Sequence, residues 1–396
     1  MMLTILTAAF LVPYTLSDNN TETKSFYIGV NYCGNSTSNA KLLIDRVKTY
    51  TNLFVLQSSS IWGNETATKE ICDYAVVHGL NIILNLGTHN DTTFPWQLPL
   101  LQNAAHRWGN HFLGVYYDDE PGGVQLDYDW ASYFASPNFT AFSRYPGNPL
   151  YKIYQETLNT NVSAPRNYSR AASWFTNIIR WTLLPDRWKA AGMTSFTSDY
   201  TLYWWDYLGG YDVMLAHLGW NHTLTQDIAL VRGAARMQNK SWGTIITWKY
   251  RQPPYLDSGE NIYQQMLMSY DAGAKYVVIF NYPQIEGNPY GILTDEHFEA
   301  LERFWNDVMT KPNQKTRDFN QAEAALVLPK NYGWGMRNPN DSIWGFWGPD
   351  ERSLQIWEIS RKLILQYGLS LDIVYDDPAF PAAGNYSQIY YWNQTS

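Results

Sequence analysis

Phe112-Leu113-Gly114-Val115-Tyr116-Tyr117-Asp118-Asp119-Glu120-Pro121-Gly122-Gly123 is a short apolar and aromatic run that ends in three acids and a Pro-Gly-Gly turn. Aliphatic and aromatic residues in a run of about six, closed by a polar turn, read as a buried strand. The same unit recurs along the chain. Strands are expected at residues 26–31, 53–57, 80–86, 112–117, 193–197, 211–216, 243–248 and 276–281. Helical periodicity occupies the intervals at 38–50, 67–78, 98–108, 170–191, 224–239, 262–272 and 295–309, with one short helix inside 202–208. Strand-helix alternation repeated eight times, at about 30 residues per unit, predicts an α/β fold, a TIM (β/α)8 barrel. The barrel is expected over 24–318.

Two regions depart from the period. After the fourth strand an insertion, 121–167, is rich in Tyr, Trp, Phe and Pro. Barrel sites lie at the C-terminal ends of the strands, so this segment is expected to wall a pocket. After residue 320 the pattern restarts, with a strand at 324–328, an amphipathic helix at 351–367 and strands at 371–375 and 388–392. That predicts a small C-terminal α/β domain over 322–396, a partial flavodoxin-like unit with too few elements for a doubly wound sheet. Its Gly- and Trp-rich loop, 331–349, is long enough to reach the pocket or a neighbouring subunit, which leaves a homo-oligomer open.

Lys and Arg number 28 against 36 Asp and Glu, a net charge of −8 over 396 residues, and no basic run occurs. Nucleic acid is therefore not an expected partner. Charged residues are 16% of the chain, against about 25% in average globular proteins. Aromatics also reach 16%, with 18 Trp and 30 Tyr. Disorder is excluded by this composition. It suits neutral, hydroxyl-rich ligands such as sugars, the other reading being a large aromatic core. The apolar stretch 2–12, followed by Pro13 and polar residues, reads as a signal peptide over 1–18. No other apolar run approaches 18 residues, so no membrane span is expected in the mature chain.

N-glycosylation sequons start at Asn19, Asn35, Asn64, Asn90, Asn138, Asn161, Asn167, Asn221, Asn239, Asn340, Asn385 and Asn393. Chance supplies roughly four in a chain with this much Asn, Ser and Thr. The excess predicts a secreted glycoprotein, extracellular or at the cell surface. Cys33 and Cys72 fit that compartment as a disulfide or stand as two buried thiols. There is no CxxC, no Cys/His metal spacing and no HExxH, so neither a metal nor a cofactor is expected.

Three adjacent carboxylates at the end of strand four repel one another and should raise at least one pKa, which keeps a carboxylic acid protonated for general-acid work. If the strand continues, Asp118 and Glu120 share a face about 7 Å apart and Asp119 points away. The competing readings are an acidic cap or turn, and a cation site made by Asp118, Asp119 and His89. Other predicted strand ends carry Asn31-Tyr32, His89-Asn90-Asp91, Asp199-Tyr200, Trp248-Lys249-Tyr250-Arg251 and Asn281-Tyr282, with Glu286 following. Aromatic rings stack on sugar faces, and Asn, Tyr and Lys bind hydroxyls. Together on one rim they favour a carbohydrate cleft.

In layout, residues 26–310 resemble the (β/α)8 glycoside hydrolases, on the strand-four acidic cluster and the strand-eight run Tyr276-Val277-Val278-Ile279-Phe280-Asn281-Tyr282-Pro283. A barrel followed by an α/β domain is also similar to the family 42 β-galactosidases, whose barrel carries a glutamine-amidotransferase-like domain. The resemblance implies Glu120 as general acid/base. It implies Asn-Glu after strand four and a nucleophilic Glu after strand seven, where this chain has Asp119-Glu120 and Trp248-Lys249. The second carboxylate is then sought at Asp118, with Asp199 and Glu286 behind it, and Tyr32, Asp119, Trp248, Lys249, Tyr250, Tyr282 and Glu286 are the candidate substrate contacts. The expected activity is glycoside hydrolysis on a polysaccharide or glycan. The alternative is a barrel that binds glycans or builds a cell surface without catalysis.

Overall fold

The computed structural model describes residues 25–87, 94–127, 165–183, 191–311 and 321–394. The leader, His89, Asn90, Asn138, Asn161 and most of the insertion lie outside the described residues.

Eight parallel strands close into a barrel in sequence order: β1 Tyr27–Tyr32, β2 Leu53–Leu56, β3 Asn81–Asn85, β4 Phe112–Tyr116, β5 Ser195–Asp199, β6 Val213–Leu218, β7 Ser241–Ile246 and β8 Tyr276–Ile279. β1 pairs with β8 to complete the ring. Each expected strand is present, with ends displaced by about two residues. Period-two alternation sends one set of side chains inward, and Leu53, Val55, Ile83, Tyr116, Phe196, Val213, Leu215, Ile245, Tyr276 and Val278 pack the barrel interior. The other set, including Phe54, Leu56, Met214 and Ala216, faces the surrounding helices.

Those helices are α1 Thr37–Val47, α2 Glu65–Val77, α3 Gln97–Gln102, α4 Ala104–Trp108, α5 Pro121–Asp127, α6 Tyr168–Leu183, α7 Tyr203–Gly209, α8 Leu224–Met237, α9 Gly259–Asp271 and α10 Asp295–Phe304. Local chemistry starts several of them. The Asn64 carboxamide accepts the Ala67 N–H at the head of α2, and Ser258 does the same for Asn261 at the head of α9. The expected helix at 98–108 is broken into α3 and α4 at Asn103.

The seam between β4 and β5 matters for function. Only Val115–Ser195 and Tyr116–Phe196 are in register there. Gly114, at φ 150°, lies where a Cβ would stand 2.2 Å from the Thr194 carbonyl oxygen, so only glycine lets the strands approach. Above that point the backbone contact continues through the Tyr117 N–H to the Phe196 carbonyl and the Glu120 N–H to the Ser198 carbonyl, both at 2.9 Å.

The C-terminal unit has a parallel three-stranded sheet, order β10-β9-β11, from β9 Ala324–Leu328, β10 Leu371–Tyr375 and β11 Gln388–Tyr391, with helix α11 Glu351–Tyr367. It packs on α8 of the barrel. Gly233 of α8 sits so close to β10 that a Cβ would stand 2.6 Å from the Ile373 carbonyl oxygen. Arg232 of α8 crosses the contact: its Nε donates to Asp372 Oδ1 at 2.7 Å and its Nη2 to the carbonyls of Leu369 and Leu371. Tyr386 donates to the other Asp372 oxygen.

Cys33 and Cys72 are both free thiols. Cys33 follows β1 at the barrel mouth, whereas Cys72 is buried on α2 in the outer core, so the fold assigns them to different layers. No helix among the described residues is long and apolar enough to cross a membrane.

Candidate active site

The strand-four acids form a turn, not a continued strand. Asp118 and Glu120 both adopt left-handed backbone, at φ 56° and 55°, a conformation that costs a non-glycine residue roughly 1–2 kcal/mol. Neighbouring elements hold it in place. Tyr211 donates to the Tyr117 carbonyl, Thr197 Oγ1 to the Asp118 carbonyl, and the Glu120 N–H to the Ser198 carbonyl at 2.9 Å.

Asp199 supplies the firmest clamp. It is wholly buried, and its carboxylate accepts the N–H groups of Gly122 at 2.5 Å, Gly123 at 3.0 Å, Tyr200 at 2.7 Å and Thr201 at 3.3 Å. Burial raises its pKa, and the N–H donors pull against that rise. Both Asp199 oxygens are thus committed to anchoring the turn, away from the position expected of a second carboxylate at the mouth.

The turn reverses the expected faces. Asp119, not Asp118, points at the barrel axis: its Oδ1 accepts from Ser198 Oγ at 3.0 Å and from the Tyr116 hydroxyl. Its charge is felt by Cys33 on the far side of the mouth. Asp118 caps the Asp119 N–H at 3.0 Å and acts on Tyr211 and Asp206 in the outer layer. Left-handed φ at Asp118 breaks the alternation on which the opposite expectation rested.

Glu120 also faces inward, with Oε1 3.4 Å from Nδ1 of His217. His217 Nε2 lies 2.7 Å from Ser198 Oγ, and that hydroxyl is 2.7 Å from Tyr116. Ser198 and His217 are both buried. Asp118 and Asp119 reach solvent and Glu120 does so in part, while the surrounding protein displaces much of their hydration. Lost hydration is the main reason that Asp119 rises to about 6 and Glu120 to about 7; the charges of Asp119 and then Asp127 lift Glu120 further. Asp118 is also raised by burial. Burial, with a smaller contribution from His222, drives His217 down to about 3, so it is neutral at physiological pH.

A second layer comes from the C-terminal unit. Arg337, in loop 331–349, binds Asp341 through Nε and Nη2 at 2.8 and 2.7 Å and Asp127 through Nη1 at 2.6 Å. The Tyr200 hydroxyl donates to Asp127 at 2.6 Å, and its ring lies 5.8 Å from that of His217. The loop therefore reaches the mouth of its own barrel.

Other expected contacts divide. Trp248 packs on Tyr255, Phe280 and Tyr282, and Tyr250 and Tyr282 are exposed at 45% and 43%, so an aromatic rim stands at the ends of β7 and β8. Lys249 lies 3.8 Å from Asp257. Glu286 is exposed in the loop after β8. Tyr32 is no sugar platform: it is buried, and its hydroxyl is engaged with both the N–H and the carbonyl of Ser36. Asn31 is also wholly buried at that end of β1, bonded to Gln57, Cys33 and the Asn281 N–H. Among the described residues no group of three or more His, Cys, Asp or Glu is arranged to hold a metal ion; His89 lies outside them.

Raised carboxyls have a stability consequence. Glu120 goes from an unfolded value near 4.5 to about 7, so the folded state binds its proton more tightly. Its contribution is fully favourable below about 4.5 and is lost as pH rises through 7. Glu120→Gln is expected to stabilise the protein at pH 8 by about 1–2 kcal/mol, after discounting for the solvent that reaches the side chain, and to leave it unchanged at pH 4.5. Thermal unfolding at the two pH values checks this, and equal shifts at both would refute the raised pKa.

No family model matches the sequence, and no curated protein matches it. Solved structures do resemble it in fold. A GH5_18 protein from Bifidobacterium longum has TM-score 0.48 and 10% identity over 93% of this chain and 97% of its own. A psychrophilic glycoside hydrolase family 10 endo-β-1,4-xylanase has TM-score 0.39 and 12% identity, covering 71% and 97%. A GH99 endo-α-mannosidase from Bacteroides thetaiotaomicron has TM-score 0.39 and 11% identity, covering 73% and 99%. One barrel supports many chemistries, so activity has to be argued from the side chains.

Proposed function

We propose that this protein is a secreted glycoside hydrolase acting on a polysaccharide or glycan, with Glu120 as general acid and Asp119 as its ionised partner. The observation that carries the reading is the inward-facing Asp119–Glu120 pair, whose pKa values are raised to about 6 and about 7. Between those values Glu120 holds a proton and Asp119 does not, which is the ionisation that two-carboxylate glycoside hydrolysis requires. Trp248, Tyr250 and Tyr282 supply apolar faces for sugar rings, while Lys249 is a polar group for hydroxyls. The likeness to family 42 β-galactosidases rests only on element order, a barrel followed by a small α/β unit.

Secretion with N-glycosylation is part of the proposal. The described sequon residues Asn35, Asn64, Asn167, Asn221, Asn239, Asn340, Asn385 and Asn393 are all exposed, while the buried Asn85 and Asn281 carry no sequon. Mass analysis before and after glycan removal, on protein from a eukaryotic secretory host, tests this.

Reducing-end release from a broad panel of polysaccharides and N-glycans tests the activity, with Glu120→Gln beside the wild type. Release confined to wild type supports hydrolysis. Glycan binding by both proteins, with release by neither, favours the binding alternative, for which the absence of a strand-seven carboxylate is the specific observation.

The partner assignment has its own test. Asp118→Asn keeps a side chain that tolerates left-handed backbone and caps the next N–H, so activity should stay within about threefold of wild type. Asp119→Asn should lose at least about 10²-fold. The reverse pattern would restore Asp118 as the partner.

A further inference from the structure

Glu120, His217, Ser198 and Asp119 come from the β4–α5 turn, β6 and β5, yet they stand in one line. Nδ1 of His217 faces Glu120 at 3.4 Å, Nε2 meets Ser198 Oγ at 2.7 Å, and that hydroxyl reaches Asp119 at 3.0 Å. Serine, imidazole and carboxylate in this order make an activated nucleophile elsewhere. Here Ser198 is 1% exposed and also bonded to Tyr116, so a substrate carbonyl does not reach it. The line joins two carboxyls instead. Nδ1 is buried without a well-aligned hydrogen-bond partner, and the group it faces is Glu120.

Counting hydrogens along the line shows what it favours. With Glu120 protonated and Asp119 ionised, Glu120 donates to Nδ1, Nε2–H donates to Ser198, and Ser198 donates to Asp119. With the proton on Asp119 every link reverses: Asp119 donates to Ser198, Ser198 to Nε2, and Nδ1–H to Glu120. The two arrangements interconvert when three hydrogens each move one link. One O–H bond of a carboxyl breaks, one forms on the other, and no charge is left on serine or imidazole. Each arrangement has one hydrogen per link. Removing the proton leaves a link empty, and a second proton places two hydrogens in one link.

We propose that Ser198 and His217 bind Asp119 and Glu120 into one unit that holds a single proton shared between the two carboxyls. The unit deepens the catalytic reading, on which it rests, by fixing one acid and one base at the same time. Neutral His217 is required, and its burial supplies that. The other groups facing the unit do not break the line. Asp127 and Asp199 lie near Glu120, Asp118 and Cys33 near Asp119, and His222 and Tyr200 near His217, with Arg337 beyond them.

Infrared titration of the protonated-carboxyl band tests the unit without any substrate, with Asp119→Asn and Glu120→Gln assigning the bands. Wild type should lose its two protons in steps spaced about one pH unit wider than the values near 6 and 7 that burial and neighbouring charges set for the two acids alone. Ser198→Ala should bring the steps together by about one pH unit, a tenfold loss in preference for the one-proton state. Ser198→Thr, which keeps the hydroxyl, should retain the spacing. Unchanged spacing in Ser198→Ala overturns the proposal. If Ser198→Ala fails to fold, ¹⁵N spectra of wild type decide: the neutral His217 ring should switch from Nε2–H to Nδ1–H across the upper step, and a tautomer that does not change overturns it. Absence of glycan release would sink the hydrolase reading alone, because neither titration depends on turnover.

Discussion

Glu120→Gln is expected to lower glycan release by about 10²–10⁴-fold, the usual contribution of one positioned general acid. The substitution keeps the shape of the side chain and removes the proton that Glu120 holds up to about pH 7. Substrate affinity should change little, because the loss falls on kcat. The wild-type profile should be bell-shaped, with an acid limb at or below about 6 as Asp119 becomes protonated and an alkaline limb at or above about 7 as Glu120 ionises. Those limbs belong to the pair, since the two groups are adjacent and interact. In Glu120→Gln the alkaline limb should vanish with the activity it reported. Residual activity within a few-fold of wild type, or an alkaline limb that persists, would remove Glu120 from the chemistry.

Arg232→Ala is expected to destabilise the protein by about 3–5 kcal/mol, because it leaves the fully buried Asp372 carboxylate without its main cation. Arg236, 3.8 Å from Asp372 and more exposed, replaces only a small part of that contact. Two backbone carbonyls, of Leu369 and Leu371, lose their donor as well. The damage should extend to the site, since the same C-terminal unit carries Arg337 to Asp127 beside the acidic turn. Urea unfolding followed by tryptophan fluorescence checks the prediction. Replacing both partners, Arg232→Met with Asp372→Leu, should cost much less, because no unpaired charge stays buried. A loss below 1 kcal/mol for Arg232→Ala would show that the C-terminal unit is held by apolar packing alone.

The eight strands were legible because a parallel barrel buries both faces of each strand, leaving short apolar runs between polar turns. In the C-terminal unit β9 and β10 were legible for the same reason, and Asp350 and Ser353 cap α11 where the sequence places its start. Within the site, Glu120 and the acidic cluster stood out as adjacent like charges, which are costly wherever they occur. Ser198 and His217 carried a fainter signal: each extends an inward-facing row of alternate residues, Phe196–Ser198 on β5 and Val213–Leu215–His217 on β6. A polar group in such a row marks the point where packed interior gives way to the mouth. Tyr32 shows the opposite failure, since an aromatic residue at a strand end is equally suited to burial.

Local patterning thus determined by itself the order and type of the elements and the acidic cluster at the end of the fourth strand, because these depend on residues within one turn or strand of each other. The tertiary structure decided which carboxylates face one another. Left-handed backbone at Asp118 and Glu120 turns Asp119 inward, and that strain is held by Asp199, Ser198, Thr197 and Tyr211, which are remote in the sequence. Arg337 reaches Asp127 across 210 residues. Neither contact has a local signature, because a side chain is committed to a distant partner only when packing brings the two together and removes the water that would otherwise solvate them.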